Sequence, residues 1–378
     1  MAKNKRPIII FVFLIVVLYI FINTLKVTNA HRTATELNSK SLSNSQKQQL
    51  ELEKFAHIKK YGFNFQLNNK ARLPDDATLR QQLAYQFPYE PKKPFPKNIW
   101  QTWKVTEDDE TFPKNYKSYS ETWKDNNPTY KRHVLSDEMC LELINQLYST
   151  VPDVTNAYNS MPKNILKADF FRYLILFARG GVYSDIDTVG LKSIDVWPSL
   201  NETMNGEPNT AGIVVGIEAD PDREDWHDWY ARRVQFCQWT IQSKSGHPLL
   251  RELIAQITNL TLTRKKNGQL RKVLGKDEGG DIMDWTGPGI WTDYVFSYMN
   301  NVMQPQENFK NKVIDDDVVT WKMFTGMTSP ILVDDVLVLP ITSFSPDVGQ
   351  MGAKTSKHKW ALAKHMFSGS WKPEEERM

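Results

Sequence analysis

Three textures of hydrophobic and polar positions follow one another along the 378-residue chain. Residues 8–22 are apolar or aromatic without a break, and the run continues less strictly to residue 27. Residues 28–94 turn polar, with Ser, Asn, Gln and Lys crowding positions 41–49 and a short helix expected over 49–60. Pro88, Pro91, Pro94 and Pro96 then punctuate the chain as a domain boundary does. Beyond them short apolar runs alternate with longer helical patterns. Strands are predicted over 98–103, 130–135, 182–187, 212–218 and 336–339. Helices are predicted over 136–148, with Ser136 as N-cap, and over 163–179, 248–260 and 290–300. Such alternation argues an α/β domain over 95–378, with a mixed, mostly parallel sheet flanked by helices. Ligands are expected at the carboxyl ends of its strands.

The first texture reads as a membrane anchor. At about 1.5 Å per residue, positions 7–27 span about 30 Å, enough to cross a bilayer core. Lys3, Lys5 and Arg6 precede the run, which leaves residues 1–6 in the cytosol and the remainder in the lumen. The rival reading is a cleaved signal peptide. Thr28-Asn29-Ala30 is a weak cleavage match and the run is long for a signal, so a retained anchor is favoured. Residues 28–94 are then a lumenal stem. The triplets Asn201-Glu202-Thr203 and Asn259-Leu260-Thr261 are glycosylation acceptors suited to that side.

Composition narrows the function less. A net charge of +3 over 378 residues excludes a nucleic-acid binder that works by its field alone. Twelve Trp offer flat apolar faces of the kind that grip sugar rings, although Trp also fills cores. With only Cys140 and Cys237 there is neither a disulfide framework nor a cysteine zinc site. The two can pair or stay as buried thiols.

The informative stretch is Lys167-Ala168-Asp169-Phe170-Phe171-Arg172-Tyr173, running on through Arg179-Gly180-Gly181-Val182-Tyr183-Ser184-Asp185-Ile186-Asp187. The helix there is apolar nearly all round and therefore buried, so Asp169 and Arg172 stand out. Three residues apart, they share a face and either pair with each other or converge on a ligand. On a strand, Asp185 and Asp187 would point to one side and Ile186 to the core. Two carboxylates together make a hard-oxygen site for Mn²⁺ or Mg²⁺, which keeps positions free for phosphate oxygens. Asp220-Pro221-Asp222, Asp315-Asp316-Asp317 and Glu107-Asp108-Asp109-Glu110 lack such a strand and read as solvated loops. Two further segments are candidates for the same pocket. Thr286-Gly287-Pro288-Gly289 is either an anion site at a helix start or an ordinary loop. His365, in His365-Met366-Phe367-Ser368-Gly369-Ser370-Trp371, is either a third metal ligand or structural.

The stretch from Lys167 to Asp187 is similar to the sugar-binding region of glycosyltransferase family 32, and the resemblance extends over about residues 61–372. It includes Phe95-Pro96-Lys97-Asn98-Ile99-Trp100-Gln101-Thr102-Trp103, Trp285-Thr286-Gly287-Pro288-Gly289 and the segment from His365 to Trp371. The resemblance implies a GT-A-like fold, a GDP-mannose donor and Mn²⁺. It also implies α-1,6 transfer of mannose to the core N-glycan of glycoproteins at the early Golgi membrane, alone or within a mannosyltransferase complex. Carried over by residue, Asp185 and Asp187 bind the metal with His365 as a third ligand, and Asp187 and Arg172 are catalytic. Asp169 and Arg172 hold the donor, Trp100 lies near the base, Gly287 approaches the diphosphate, and Trp371 closes over it. An α-linked donor and product mean retention, expected by front-face displacement because the sequence offers no evident carboxylate nucleophile. The competing readings are a non-initiating or structural subunit of such a complex, a nucleotide-sugar hydrolase and a carbohydrate-binding module.

Overall fold

The computed structural model describes residues 73–274, 278–302 and 318–369. The expected anchor, the 49–60 helix and Trp371 lie outside these residues. Among the described residues no helix is long and apolar enough to cross a membrane.

The elements run in the order α1 (Leu79–Gln86), β1 (Asn98–Trp103), α2 (Lys114–Asn126), β2 (Lys131–Ser136), α3 (Asp137–Leu147), α4 (Pro152–Ser160), α5 (Asn164–Arg179) and β3 (Gly181–Ser184). Next come β4 (Thr188–Gly190), the small hairpin β5 (Thr203–Met204) and β6 (Glu207–Pro208), then β7 (Ile213–Ala219), β8 (Gln235–Phe236) and β9 (Thr240–Ser243). The described part closes with α6 (Pro248–Lys266), α7 (Glu278–Trp285), α8 (Pro288–Val302), β10 (Ile331–Val333), β11 (Val336–Leu339) and β12 (Ala363–His365).

The main sheet has the order β10-β11-β7-β9-β3-β1-β2, with β8 added beside β7. Its pairings β1–β2, β1–β3 and β7–β11 are parallel. The pairings β3–β9, β7–β9, β7–β8 and β10–β11 are antiparallel, so the sheet is mixed but not mostly parallel. The correction has a local cause. β9 enters the middle of the sheet from the short connection after β8 and must run against both neighbours. Because β9 opposes β3 and β7 alike, those two strands point the same way and their carboxyl ends open at one edge.

Helix α5 stops where the sequence says it should. Gly180 and Gly181 take φ of 64° and 103°, and a Cβ on Gly181 would stand 2.4 Å from the Asn98 carbonyl oxygen. Only glycine lets the chain leave the buried helix and enter β3 against β1. Alternation along the strands divides the core between two faces. Ile99, Val182, Val214 and Leu337 meet Trp123 of α2, Trp197 and Phe344 on one side. On the other, the Arg172 guanidinium of α5 lies 5.1 Å from the Tyr183 ring centroid.

The segment before residue 95 is not a free stem throughout. Leu83 and Phe87 are buried, and Phe87 packs edge-on against Phe177 with centroids 5.5 Å apart. Arg80 pairs with Glu252 of α6, and Lys244 donates to the Pro91 carbonyl at 2.7 Å. A capping box between Thr78 and Gln81 starts α1, so the packed body begins before the prolines. Cys140 and Cys237 are both buried free thiols.

Candidate active site

The charges of α5 are answered from within the protein. Asp169 Oδ1 accepts from Arg172 Nη1 at 2.6 Å and from Gln238 Nε2 at 3.2 Å. Its Oδ2 accepts from Thr286 Oγ1 at 3.0 Å. Tyr173 ties the same partners together, its hydroxyl 2.7 Å from Gln238 Oε1 and 3.0 Å from the Thr286 carbonyl oxygen, with one proton to share between them. With both oxygens engaged and 1% exposure, Asp169 offers a donor sugar nothing, contrary to its expected binding role. It positions Arg172 instead. The guanidinium spans from Asp169 to Asp185, whose Oδ1 lies 3.1 Å from Nη2.

The acidic pair occupies a turn, since β3 ends at Ser184. The expected strand to residue 187 is therefore corrected. Thr188 closes the turn, its amide 3.1 Å and its hydroxyl 2.6 Å from the Asp185 carbonyl. The Asp185 amide donates to the Trp239 carbonyl at 2.8 Å. Ile186 packs with Phe112, Tyr116 and Val134, as an apolar residue between two polar ones should. The turn, not strand alternation, brings the carboxylates together. β12 then delivers the imidazole, because His365 pairs with Thr188 across β4. His365 Nε2 stands 3.3 Å from Asp187 Oδ1, and ligand atoms of Asp185, Asp187 and His365 all lie within 4.8 Å of one another. The following backbone folds over Asp187. The Ser368 amide donates to its Oδ2 at 3.1 Å and the Met366 amide to its carbonyl at 2.9 Å.

Residues 113–204, which carry this turn, match the glycosyltransferase sugar-binding region containing the DXD motif. The chain is 62% identical to the initiation-specific alpha-1,6-mannosyltransferase of Candida albicans over 98% of its own length and 95% of that protein. It is 41% identical to the protein of that name from Saccharomyces cerevisiae, over 79% of this chain and 82% of the other. The chain belongs to this mannosyltransferase family. A solved structure, the PaToxG glycosyltransferase, aligns with 58% of this chain and 74% of that one. At 16% identity and a TM-score of 0.36, that likeness carries no argument.

In the mannosyltransferase site, burial pushes the Asp185 carboxyl up, against the pull of Arg172, and the neighbouring Asp187 charge pushes it further up. Burial pushes Asp187 up as well, but the His365 contact and the Ser368 amide outweigh it and hold it below the usual carboxylate range. Asp169 is pushed up to about 6 by burial, with Arg172 opposing. Two carboxylates and an imidazole suit a hard to borderline divalent ion such as Mn²⁺. Asp185 Oδ2 is left over for it, since Arg172 and Tyr183, at 3.1 and 2.8 Å, both take Oδ1. His365 fits less directly. Its Nδ1 accepts from the Phe367 amide at 2.9 Å, so the ring proton sits on Nε2 and faces Asp187. Ligation through Nε2 requires Phe367, held at φ of 48°, to release Nδ1.

Two donor-binding expectations are corrected. Trp100 is 2% exposed, its indole N–H donates to the Gly180 carbonyl at 2.9 Å, and His133 stacks on its ring at 4.2 Å. It is core, and no base can reach it. Gly287 permits close packing at the junction of α7 and α8, since a Cβ there would stand 2.8 Å from Met283 Cα. The site role in that loop falls to Thr286. Sequence reasoning also missed Gln238, Trp239 and Glu218. The ring of Trp239 lies 4.6 Å from that of His365. For Gln238 and Trp239 the only sequence signal was a polar and aromatic pair between two short apolar runs.

Proposed function

We propose that this enzyme transfers mannose from GDP-mannose, in α-1,6 linkage, to the core N-glycan of glycoproteins and so starts the outer chain. The convergence of Asp185, Asp187 and His365 within 4.8 Å at the sheet edge, with Arg172 behind, carries this reading. The fold fits the GT-A pattern of a mixed sheet with an acidic pair after a central strand. A divalent ion, Mn²⁺ by the donor set, would be held by Asp185 and Asp187 and would neutralise the charge of the leaving diphosphate. Arg172, kept charged between Asp169 and Asp185, supplies fixed positive charge to the same region. The Ser368 and Met366 amides hold Asp187 in place while the donor binds. Retention by front-face displacement is part of the proposal, and a mannosyl group trapped on a side chain would refute it.

The apolar run at residues 8–22, with Lys3, Lys5 and Arg6 before it, supports a type II anchor in the early Golgi membrane. Asn201 and Asn259, both exposed, are compatible with a lumenal domain. The test is the full chain incubated with a panel of nucleotide sugars and N-glycans, with Mn²⁺ or with chelator. The expected product is an α-1,6-mannosylated core glycan from GDP-mannose, formed only with metal. Release of free mannose regardless of acceptor would make the enzyme a hydrolase and overturn the reading.

A further inference from the structure

Glu218 lies at the carboxyl end of β7, at the sheet edge that carries Asp185 and Asp187. The pairing of β7 with β8 is irregular there, since Ile217 opposes Phe236 and Ala219 opposes Gln235. A bulge of this kind re-aims a side chain, and such irregularities gather beside active sites. The carboxyl interacts on one side with Gln235, whose Oε1 is fixed by the Ala231 amide at 3.0 Å. Among the described residues the other oxygen, Oε2, is buried with no hydrogen-bond partner. His365 is close enough to act on the carboxyl electrostatically, and Tyr230 on the adjoining loop feels its charge. Trp239 adds a second unmatched group. Among the described residues its Nε1 is buried without a partner, although its ring packs on His365 and, at 5.5 Å, on Phe367.

Among the described residues a buried acceptor and a buried donor are thus both unanswered, the donor's ring packed on the His365 imidazole and the acceptor within its electrostatic reach. Leaving either unpaired is unfavourable, so a ligand group that completes them gains what the free protein lacks. A hydroxyl both donates and accepts, and a sugar presents several of them. We propose that Glu218 and Trp239 form a subsite beside the Asp185–Asp187–His365 cluster that holds a hydroxyl of a sugar substrate during transfer. The proposal rests on the mannosyl-transfer reading and adds residues to it. Burial pushes the Glu218 carboxyl up to about 7, against Gln235 and His365, so over the acidic range it is a neutral hydrogen-bonding group rather than a nucleophile.

Donor mannose and acceptor glycan share this chemistry, and kinetics separate them. In the full chain with Mn²⁺, Glu218→Ala and Trp239→Phe are expected to raise KM for one sugar substrate at least about tenfold. Glu218→Gln should restore it to within about threefold, because a carboxamide still donates and accepts. Affinity for GDP, which carries no sugar to transfer, should stay within about twofold by calorimetry, since GDP lacks the hydroxyl being held. The substrate whose KM moves identifies the occupant. Unchanged constants would overturn the proposal, as would loss of GDP affinity in parallel with activity or a mannosyl adduct on Glu218. Should Glu218→Ala fail to fold, Trp239→Phe decides, since it removes one N–H and keeps an aromatic ring. A wild-type chain that transfers no mannose from GDP-mannose refutes the underlying reading instead, and the variants are then scored with whichever sugar the wild type does use.

Discussion

Arg172 Nη2 stands 3.1 Å from Asp185 Oδ1 while Nη1 of the same guanidinium stands 2.6 Å from Asp169. A planar fork thus couples a fully buried carboxylate to one that reaches the site. Lysine carries the same charge on a single nitrogen and cannot serve both partners in that geometry. Arg172→Lys is therefore expected to leave Asp169 poorly compensated in the core and to cost up to about 3 kcal/mol of stability. Transfer should fall at least about 100-fold, measured as kcat with saturating donor. Activity within threefold of wild type would show that the fork does not serve the reaction.

Asp187 has two tasks that one substitution can separate. Its charge belongs to the Asp185–Asp187–His365 cluster, whereas its Oδ2 and its carbonyl tether the backbone at Ser368 and Met366. Asp187→Asn keeps an oxygen for the Ser368 amide and removes the charge. Transfer is expected to fall at least about 100-fold, with folding retained and no rescue by added Mn²⁺. In wild type, Mn²⁺ at about 100 times its Kd should stabilise the fold by about 2.7 kcal/mol in thermal unfolding, and in the variant by much less. Asp187→Ala should in addition expose residues 366–369 to protease. Equal metal stabilisation of wild type and Asp187→Asn would remove the aspartate from the cluster.

Much of this site could be read from the chain, and what could not has a common cause. Helix α5 and its glycine stop were plain because apolar density and a backbone requirement are both local. The acidic pair was also found, though for a reason that needed correction, since a Thr188-closed turn does what strand alternation was expected to do. The missed residues depend on contacts between distant segments. Asp169 is satisfied by Thr286 from 117 positions away and by Gln238 from 69, which no periodicity encodes. The resemblance placed Trp100 near the base, and the chain alone could not correct it, because a strand tryptophan looks alike whether it faces a ligand or, as here, a stacked histidine. Glu218 was invisible because a one-residue irregularity in strand pairing leaves no mark on the hydrophobic pattern.

The same Glu218 gives the protein a pH signature that does not depend on turnover. Its carboxyl is raised from an ordinary 4.5 to about 7 by burial, against Gln235 and His365. Between those values the native state keeps a proton that the unfolded chain has released. The stabilisation this provides is complete below the unfolded pKa and is lost as pH rises through the folded one. A glutamine at this position has no proton to lose. The stability of wild type relative to Glu218→Gln should therefore decline from about pH 4.5 to about pH 7, by no more than about 1.4 kcal/mol per pH unit, and level off above. Asp169 and the other carboxyls are common to both proteins and cancel in the difference. Denaturant unfolding of both chains across this range, without metal, makes the measurement. A difference that does not change with pH would mean that the carboxyl titrates as it does in the unfolded chain, and that burial does not hold its proton.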